Sequence, residues 1–462
     1  MELGGAEQSV MGEYLASFAG LIGDKRTGGT FGEVVQGIIQ AGSLVCQRIA
    51  ASSAVLAVAK DGGQRVIRLA TGESTKRSQL DAESLMRVLR QRSVAQLQAV
   101  DSAELWLIID GSELRKPAAH DMPALMLVRD LDGKLVPGYR TLNVVGLVPE
   151  QRGILYHRLI SSQEEGFVSE PFEVQRALQT VSQALGGLKA QRAVTWIMDR
   201  GFDDVAVWRT IWEQEEHLLC RLFHTERGLE YQTAAQQWVT STIASVRPQL
   251  QLLATAQSEL VVRRGTQPQA KRQTVTAEVR AGAVRLTYET NVRREGAGET
   301  VQKMAWLVEV RLLKTQLEPW LLLTDWPVTD AESAVRIFRM YRQRWAVEDS
   351  FKFTKECLGW EKVQLLDLTG IRTLVALAWV AAGFLYELGV TLEWAEVRLL
   401  ARLGGWVERP DNKPGKIVLT RGLRRLLDML ATEIILKGYI AQHGTLPPKI
   451  VALLGRSELS SG

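Results

Sequence analysis

Glu348 stands among cationic and phenolic side chains at helical spacing. From Ala331 to Leu358 the chain has neither Pro nor Gly, helix formers dominate, and Asp330 is a suitable N-cap. The spacing therefore predicts one long helix from Ala331 to Trp360. At about 100° per residue, Tyr341, Arg344, Glu348 and Lys355 fall within roughly 60° of one another, and Lys352 joins that face. Met340, Val347, Phe351 and Leu358 form the adjoining apolar stripe. One carboxylate among two lysines, an arginine and a tyrosine suits a site that holds a metal ion and a phosphate together. The plainer reading is a surface pair of Glu348 with Lys352, worth about 0.3 kcal/mol.

Such chemistry needs more carboxylates. Leu105–Ile109 is an apolar run of strand length ending in Asp110-Gly-Ser, and Ala193–Met198 is another, ending in Asp199. Hard oxygen ligands on rigid elements suit Mg²⁺, and two ions about 4 Å apart can activate an attacking oxygen and stabilise a leaving one. About three carboxylates suffice for such a pair, which makes Asp110, Asp199 and Glu348 the candidate catalytic and metal-binding set. Singly, Asp110 could begin an Asp-Gly turn and Asp199 could cap a following helix.

The elements that must position these groups follow from patterning. Residues 1–100 read as a helical domain: Thr30 and Glu33 make a capping-box pattern ahead of Phe31, Val34, Val35, Ile38 and Ile39, and a second amphipathic helix carries Leu80, Leu85, Val88 and Leu89. Arg65, Arg68, Lys76, Arg77, Arg87, Arg90 and Arg92 give this region a basic surface, which suits either a DNA-reading module or a solvated face. Residues 101–225 read as strands Leu105–Ile109, Pro123–Arg129 and Leu142–Val148, with an Asp132-Gly133 hairpin turn. Helix, strand, helix and strand follow: 172–188, 193–198, 203–215 and 217–223. Residues 226–327 lose helical periodicity and read as a mostly β insertion, with separate strands at 275–280 and 284–289 and a basic loop containing Arg263, Arg264, Lys271 and Arg272. Residues 328–365 carry the Glu348 helix. Residues 366–462 read as a helical C-terminal region whose apolar run from Thr373 to Tyr386 is too short to span a bilayer.

The totals bound the rest. A chain of 462 residues, 46% hydrophobic, has material for several domains, and 56 Lys and Arg against 52 Asp and Glu leave a formal charge of +4, compatible with a polyanion partner. Cys46, Cys220 and Cys357 lack paired spacing, which argues against a zinc site or disulfide framework and for a reducing compartment. No secretory leader pattern is present at the start of the sequence.

Tyr341, Arg344, Glu348 and Lys355 reproduce the Tyr-x2-Arg-x3-Glu-x6-Lys signature, and the chain over residues 100–360 resembles the DDE transposases of insertion sequences of the "IS-four" type. On that resemblance Asp110 and Asp199 are the first and second catalytic Asp. Arg221, in His217–Phe223, resembles the family's arginine after the second Asp. Trp320 resembles its base-stacking tryptophan, with Trp326 as the rival, and Lys352 a second DNA-contacting lysine. The resemblance implies an RNase H-like α/β core interrupted by the β insertion and two Mg²⁺ ions, for which Mn²⁺ can substitute. It implies cut-and-paste transposition through nicking, hairpin formation, hairpin opening and strand transfer. The implied partners are double-stranded DNA of the element's ends and target, and a second copy of the chain joined through the C-terminal region. The implied location is the bacterial cytoplasm, at the nucleoid, with no membrane. The alternatives are an RNase H-like nuclease that only cuts, and a catalytically inactive or domesticated DNA-binding regulator.

Overall fold

A computed structural model describes residues 10–72, 78–262, 271–289, 300–408 and 413–450. Lys76, Arg77, Arg263 and Arg264 lie outside these residues, and the side chains of Lys271 and Arg272 are not described.

Five helices open the chain: α1 (Val10–Ala16), α2 (Lys25–Ala41), α3 (Cys46–Ser52), α4 (Gly62–Thr71) and α5 (Ala82–Ala99). Asp24, not Thr30, starts α2. Its carboxylate accepts the Thr27 N–H at 2.9 Å, and Thr30 lies inside the helix, where its hydroxyl donates to the Arg26 carbonyl. Asp81 caps α5 in the same way. These helices do not stand apart from the sheet: α5 packs on a strand and on a later apolar helix.

The strands are β1 (Glu104–Arg115), β2 (Met126–Arg129), β3 (Leu135–Val148) and β4 (Gln151–Ile160). Helix α6 (Glu170–Leu185) leads to β5 (Ala193–Met198), and α7 (Val205–Trp212) to β6 (His217–Arg221). Next come β7 (Gly228–Gln232), β8 (Trp238–Thr242), the short α8 (Ile243–Val246), β9 (Gln251–Val262), β10 (Lys271–Glu289), β11 (Thr300–Leu312) and β12 (Trp320–Thr324). Among the described residues all twelve strands join one mixed sheet, ordered β2-β3-β1-β5-β6-β12-β11-β10-β7-β8, with β4 on β3 and β9 on β10. The fold is mixed α/β, as its alternating pattern implies. The strands of the 226–327 region extend the same sheet instead of forming their own.

Sheet alternation divides the core. Leu107, Ile109, Trp196 and Met198 pack toward α6 and α7, whereas Ile108, Ile197 and Leu219 join the opposite cluster, which includes Met340, Tyr341, Val347 and Phe351. That second face carries α9 (Ala331–Arg342) and α10 (Trp345–Cys357), which contact β9, β10, β1 and β3.

The single helix expected over Ala331–Trp360 is therefore two. The chain keeps right-handed dihedrals through Gln343 (φ −71°, ψ −12°) and Arg344 (φ −50°, ψ −33°). However, the Arg344 N–H bonds to the Tyr341 carbonyl at 3.0 Å and the Ala346 N–H to Gln343 at 2.8 Å, an i to i+3 pattern. This is a tightened turn inside a helix with no Pro or Gly to cause it.

The chain ends in α11 (Leu368–Thr391), α12 (Trp394–Leu403) and α13 (Lys416–His443). Helix α11 is longer than its apolar run suggested and reaches a length and apolarity that could cross a membrane. Here it is enclosed by α2, α4, α5, α13 and β4. Arg424 on α13 donates to the Ile39 carbonyl at 2.6 Å and to the Cys357 carbonyl, tying down the C-terminal ends of α2 and α10.

Candidate active site

Strand register brings the first two carboxylates together. Strands β1 and β5 are parallel, with Ile109 opposite Met198, so Asp110 and Asp199 occupy the next row. Strands β5 and β6 are also parallel, with Met198 opposite Cys220, which puts Arg221 in the same row. Each of the three lies two residues beyond Ile108, Ile197 or Leu219 and so falls on the face that carries α9 and α10. One expectation needs correction: β1 does not end at Asp110 but runs on to Arg115 against β3. It is the parallel pairing with β5 that stops there, and the opening this leaves is the site.

Arg344, at the tightened turn, fills that opening. Its Nη1 lies 3.3 Å from Asp110 Oδ2 and 3.7 Å from Asp199 Oδ2, and its Nη2 lies 2.6 Å from Glu348 Oε1. One guanidinium thus holds three carboxylates from two strands and a helix. Glu348 pairs with Arg344, not with Lys352. The Tyr341 hydroxyl donates to Asp199 Oδ1 at 3.4 Å. Asp110 and Asp199 each also accept the N–H of the following residue, at 2.8 and 2.7 Å.

Electrostatics follow from this crowding. Burial pushes the Asp110 carboxyl up to about 7; Arg344 and the Gly111 N–H pull it down, while Asp199 and Glu348 push it further up. Burial also raises the Tyr341 hydroxyl, with Asp199 adding to the rise and Arg344 and Arg221 opposing it. Burial lowers Arg344, but Asp199, Glu348, Tyr341 and Asp110 outweigh it, so the guanidinium is held firmly charged. Arg344 Nε is buried and has no acceptor among the described residues.

The remaining expected residues spread outward. Trp320 is half-buried on β12, which pairs antiparallel with β6, and its ring lies 5.3 Å from Tyr341 and 6.1 Å from Phe338. Trp326 lies at the far end of that pairing. It stacks on His217 at 3.7 Å and donates to the Thr195 hydroxyl at 3.0 Å. Lys355 donates to the Glu113 carbonyl at 3.3 Å and pairs with Glu361 at 3.2 Å, further along β1. Lys352 is exposed on α10.

Several neighbours escaped sequence reading. Asp203 is buried, accepts the Phe223 and His224 N–H groups at 2.6 and 2.8 Å, and pairs with Arg227, so it locks the loop after Asp199 to the end of the Arg221 strand. Its position in Asp199-Arg-Gly-Phe-Asp203 was the available signal. Arg115 and Lys116 extend the basic strip beside Lys355. Arg115 lies 2.8 Å from Glu361, and burial lowers Lys116 to about 8. Trp345, half-exposed beside Arg344, adds an aromatic surface.

The donor chemistry at this site fits a hard divalent cation, since three carboxylates converge on one positive charge. As arranged, the three surround Arg344, and among the described residues no three His, Cys, Asp or Glu side chains gather closely enough to hold one ion.

No protein-family model matches the chain, and no curated protein matches it. Among solved structures, the chain is similar to that of a piggyBac transposase synaptic complex with hairpin DNA. Sequence identity is 9%, the match covers 97% of this chain and 84% of that one, and the TM-score is 0.44. A likeness at that score does not bear on the chemistry.

Proposed function

We propose that this protein is a DNA transposase of the DDE type, with Asp110, Asp199 and Glu348 as its carboxylates. The observation that carries the reading is their convergence on Arg344 from parts of the chain far apart in sequence. Structural ion pairs seldom need three acids to one base beside a carboxyl whose pKa is raised to about 7. The Tyr-x2-Arg-x3-Glu-x6-Lys spacing supports the finer reading, an insertion-sequence enzyme. The strand order β4-β3-β1-β5-β6, antiparallel among the first three and parallel at β5 and β6, supports an RNase H-like core.

In this reading Asp110, Asp199 and Glu348 would hold Mg²⁺, which would supply charge stabilisation at phosphorus and a more acidic attacking hydroxyl. Arg344, with its carboxylate partners turned to the metal, would offer its guanidinium fork to a phosphodiester oxygen. Tyr341 offers its hydroxyl to the same phosphate, and Arg221 neutralises charge from the β6 side. The half-buried Trp320 ring offers a stacking platform for a displaced base, offsetting part of the unstacking cost. Lys352, exposed, and Lys355, anchored at Glu113, sit where the backbone would continue along α10. Double-stranded DNA is the partner, and pairing two ends needs two copies. The second half of α13, with Met429, Ile434, Ile435 and Tyr439 exposed, is the surface for that.

The test offers wild type and Glu348→Ala a duplex ending in the terminal repeat of the DNA element that encodes the protein, with Mg²⁺. Nicks and hairpins from wild type alone support the reading. Nicks without hairpins favour a nuclease that only cuts, and tight binding without cleavage favours a DNA-binding regulator.

A further inference from the structure

A cavity of about 320 Å³ lies along β4, walled by α5, α6 and α11, on the side of the sheet remote from β5. Its size is that of a small-ligand pocket. Tyr156, 7% exposed, lines it, and among the described residues its hydroxyl has no hydrogen-bond partner. Four arginines from four elements also line it: Arg90, Arg158, Arg176 and Arg372.

Two of these are already neutralised. Arg372 pairs with Glu164 at 2.6 Å and donates to the Leu159 carbonyl, and Arg158 lies 3.2 Å from Glu173. Arg90 and Arg176 have no carboxylate within 4.0 Å among the described residues, and Arg90 makes one long contact, 3.4 Å, to the Leu155 carbonyl. The acidic residues at the rim answer them only in part, since Glu83 acts on Arg90 from beyond ion-pair distance. Asp81 is occupied in capping α5 through Ser84, and Glu83 is exposed. All three of Arg158, Arg176 and Arg90 act electrostatically on the Tyr156 hydroxyl, opposing the rise that burial causes. Two guanidiniums without a close counter-ion, the half-buried Arg90 and the exposed Arg176 at the rim, thus face one half-open space with a hydroxyl that has no partner among the described residues. An oxyanion with several acceptors would bridge all three.

We propose that this cavity binds a phosphate group, carried by a small phosphate ester or by a nucleic-acid strand, with Arg90, Arg176 and Tyr156 as its ligands. The site is independent of the carboxylate cluster and of any reaction there.

The experiment uses the full chain and pyrophosphate as the probe, followed by isothermal titration calorimetry and by thermal melting. Wild type takes up pyrophosphate, an Arg90→Gln, Arg176→Gln double variant binds at least ten-fold more weakly, and Tyr156→Phe weakens binding several-fold. Tyr156→Phe preserves volume and packing, so it decides the matter if the double variant fails to fold. If the phosphate belongs to nucleic acid, pyrophosphate gives no heat, but the slope of log affinity against log salt for duplex DNA falls by about 2 in the double variant. Pyrophosphate binding absent or unchanged in the variants, together with an unchanged salt slope, overturns the proposal.

Discussion

Arg344 Nη1 lies 3.3 Å from Asp110 Oδ2, across the gap between the tightened helix turn and the row where β1 and β5 stop pairing. This contact keeps a crowded set of carboxylates tolerable, and on the proposed reading it sits where a phosphate would enter. Arg344→Ala removes the one cation that opposes Asp199 and Glu348 at Asp110. The expected outcome is an Asp110 carboxyl that titrates above its present value of about 7, read by NMR of labelled aspartate, and loss of DNA cleavage. Arg344→Lys is not expected to restore cleavage, because an ammonium cannot span Asp110 and Glu348 as a fork does. Full activity of the Lys variant would argue against the need for a guanidinium that spans Asp110 and Glu348.

Asp110 also makes a pH prediction of unusual sign. Its folded-state carboxyl titrates near 7 and its unfolded one near 4, so between those pH values the folded state binds more protons than the unfolded state. Its contribution to stability therefore falls as pH rises from about 4 to about 7 and is level beyond. In metal-free buffer Asp110→Asn should be more stable than wild type at pH 8, by roughly 2–4 kcal/mol at most, with little difference at pH 4. Urea titrations at the two pH values check this, and an Asn variant less stable at pH 8 than at pH 4 relative to wild type would contradict it.

The two tryptophans separate by position. Trp320 leans on Tyr341 at the carboxylate end of β12, whereas Trp326 is held by His217 and Thr195 at the other end. Trp320→Ala should weaken binding of a DNA end by about 1–3 kcal/mol, the cost of one base stack, and abolish base displacement seen with 2-aminopurine fluorescence. Trp326→Ala should leave that fluorescence change intact and lower thermal stability instead.

Arg424 links α13 to the ends of α2 and α10 through two carbonyls. Arg424→Ala should cost about 1–3 kcal/mol in urea unfolding, since both acceptors lose a charged donor in a partly buried setting. A loss well below 0.5 kcal/mol would show that the two helices hold their positions without it.

Much of this arrangement was legible in the sequence because apolar runs of strand length ending in Asp, and a four-residue signature at helical spacing, are local signals. Strand β5 begins and ends where its residues predict, and the Asp132-Gly133 turn closes the β2–β3 hairpin. Other features depend on tertiary contact. Strand β4 carries Arg152, Gly153, His157 and Arg158 and is covered on both faces, so no alternation announces it. Its Gly153 leaves room for Ser93 and Leu97 of α5, a close approach that only the packed structure reveals. Strand β10 continues unbroken through Ala281-Gly282-Ala283, where a turn was expected, because Gly282 fits beneath Tyr231 and Leu250. The tightened turn at Arg344 has no breaker residue to announce it, and the contacts of Arg344 with Asp110 and Asp199 join residues far apart in sequence.

The central claim, a divalent-metal site made by those three carboxylates, is tested most directly by replacing Mg²⁺ with Fe²⁺ on the DNA-bound protein. Ascorbate and peroxide are then added and the backbone cuts mapped. The account predicts cuts close to residues 110, 199 and 348, lost when Asp110→Asn, Asp199→Asn and Glu348→Gln are combined while DNA binding persists. Cuts clustered elsewhere, or the same cuts in the triple variant, would contradict it.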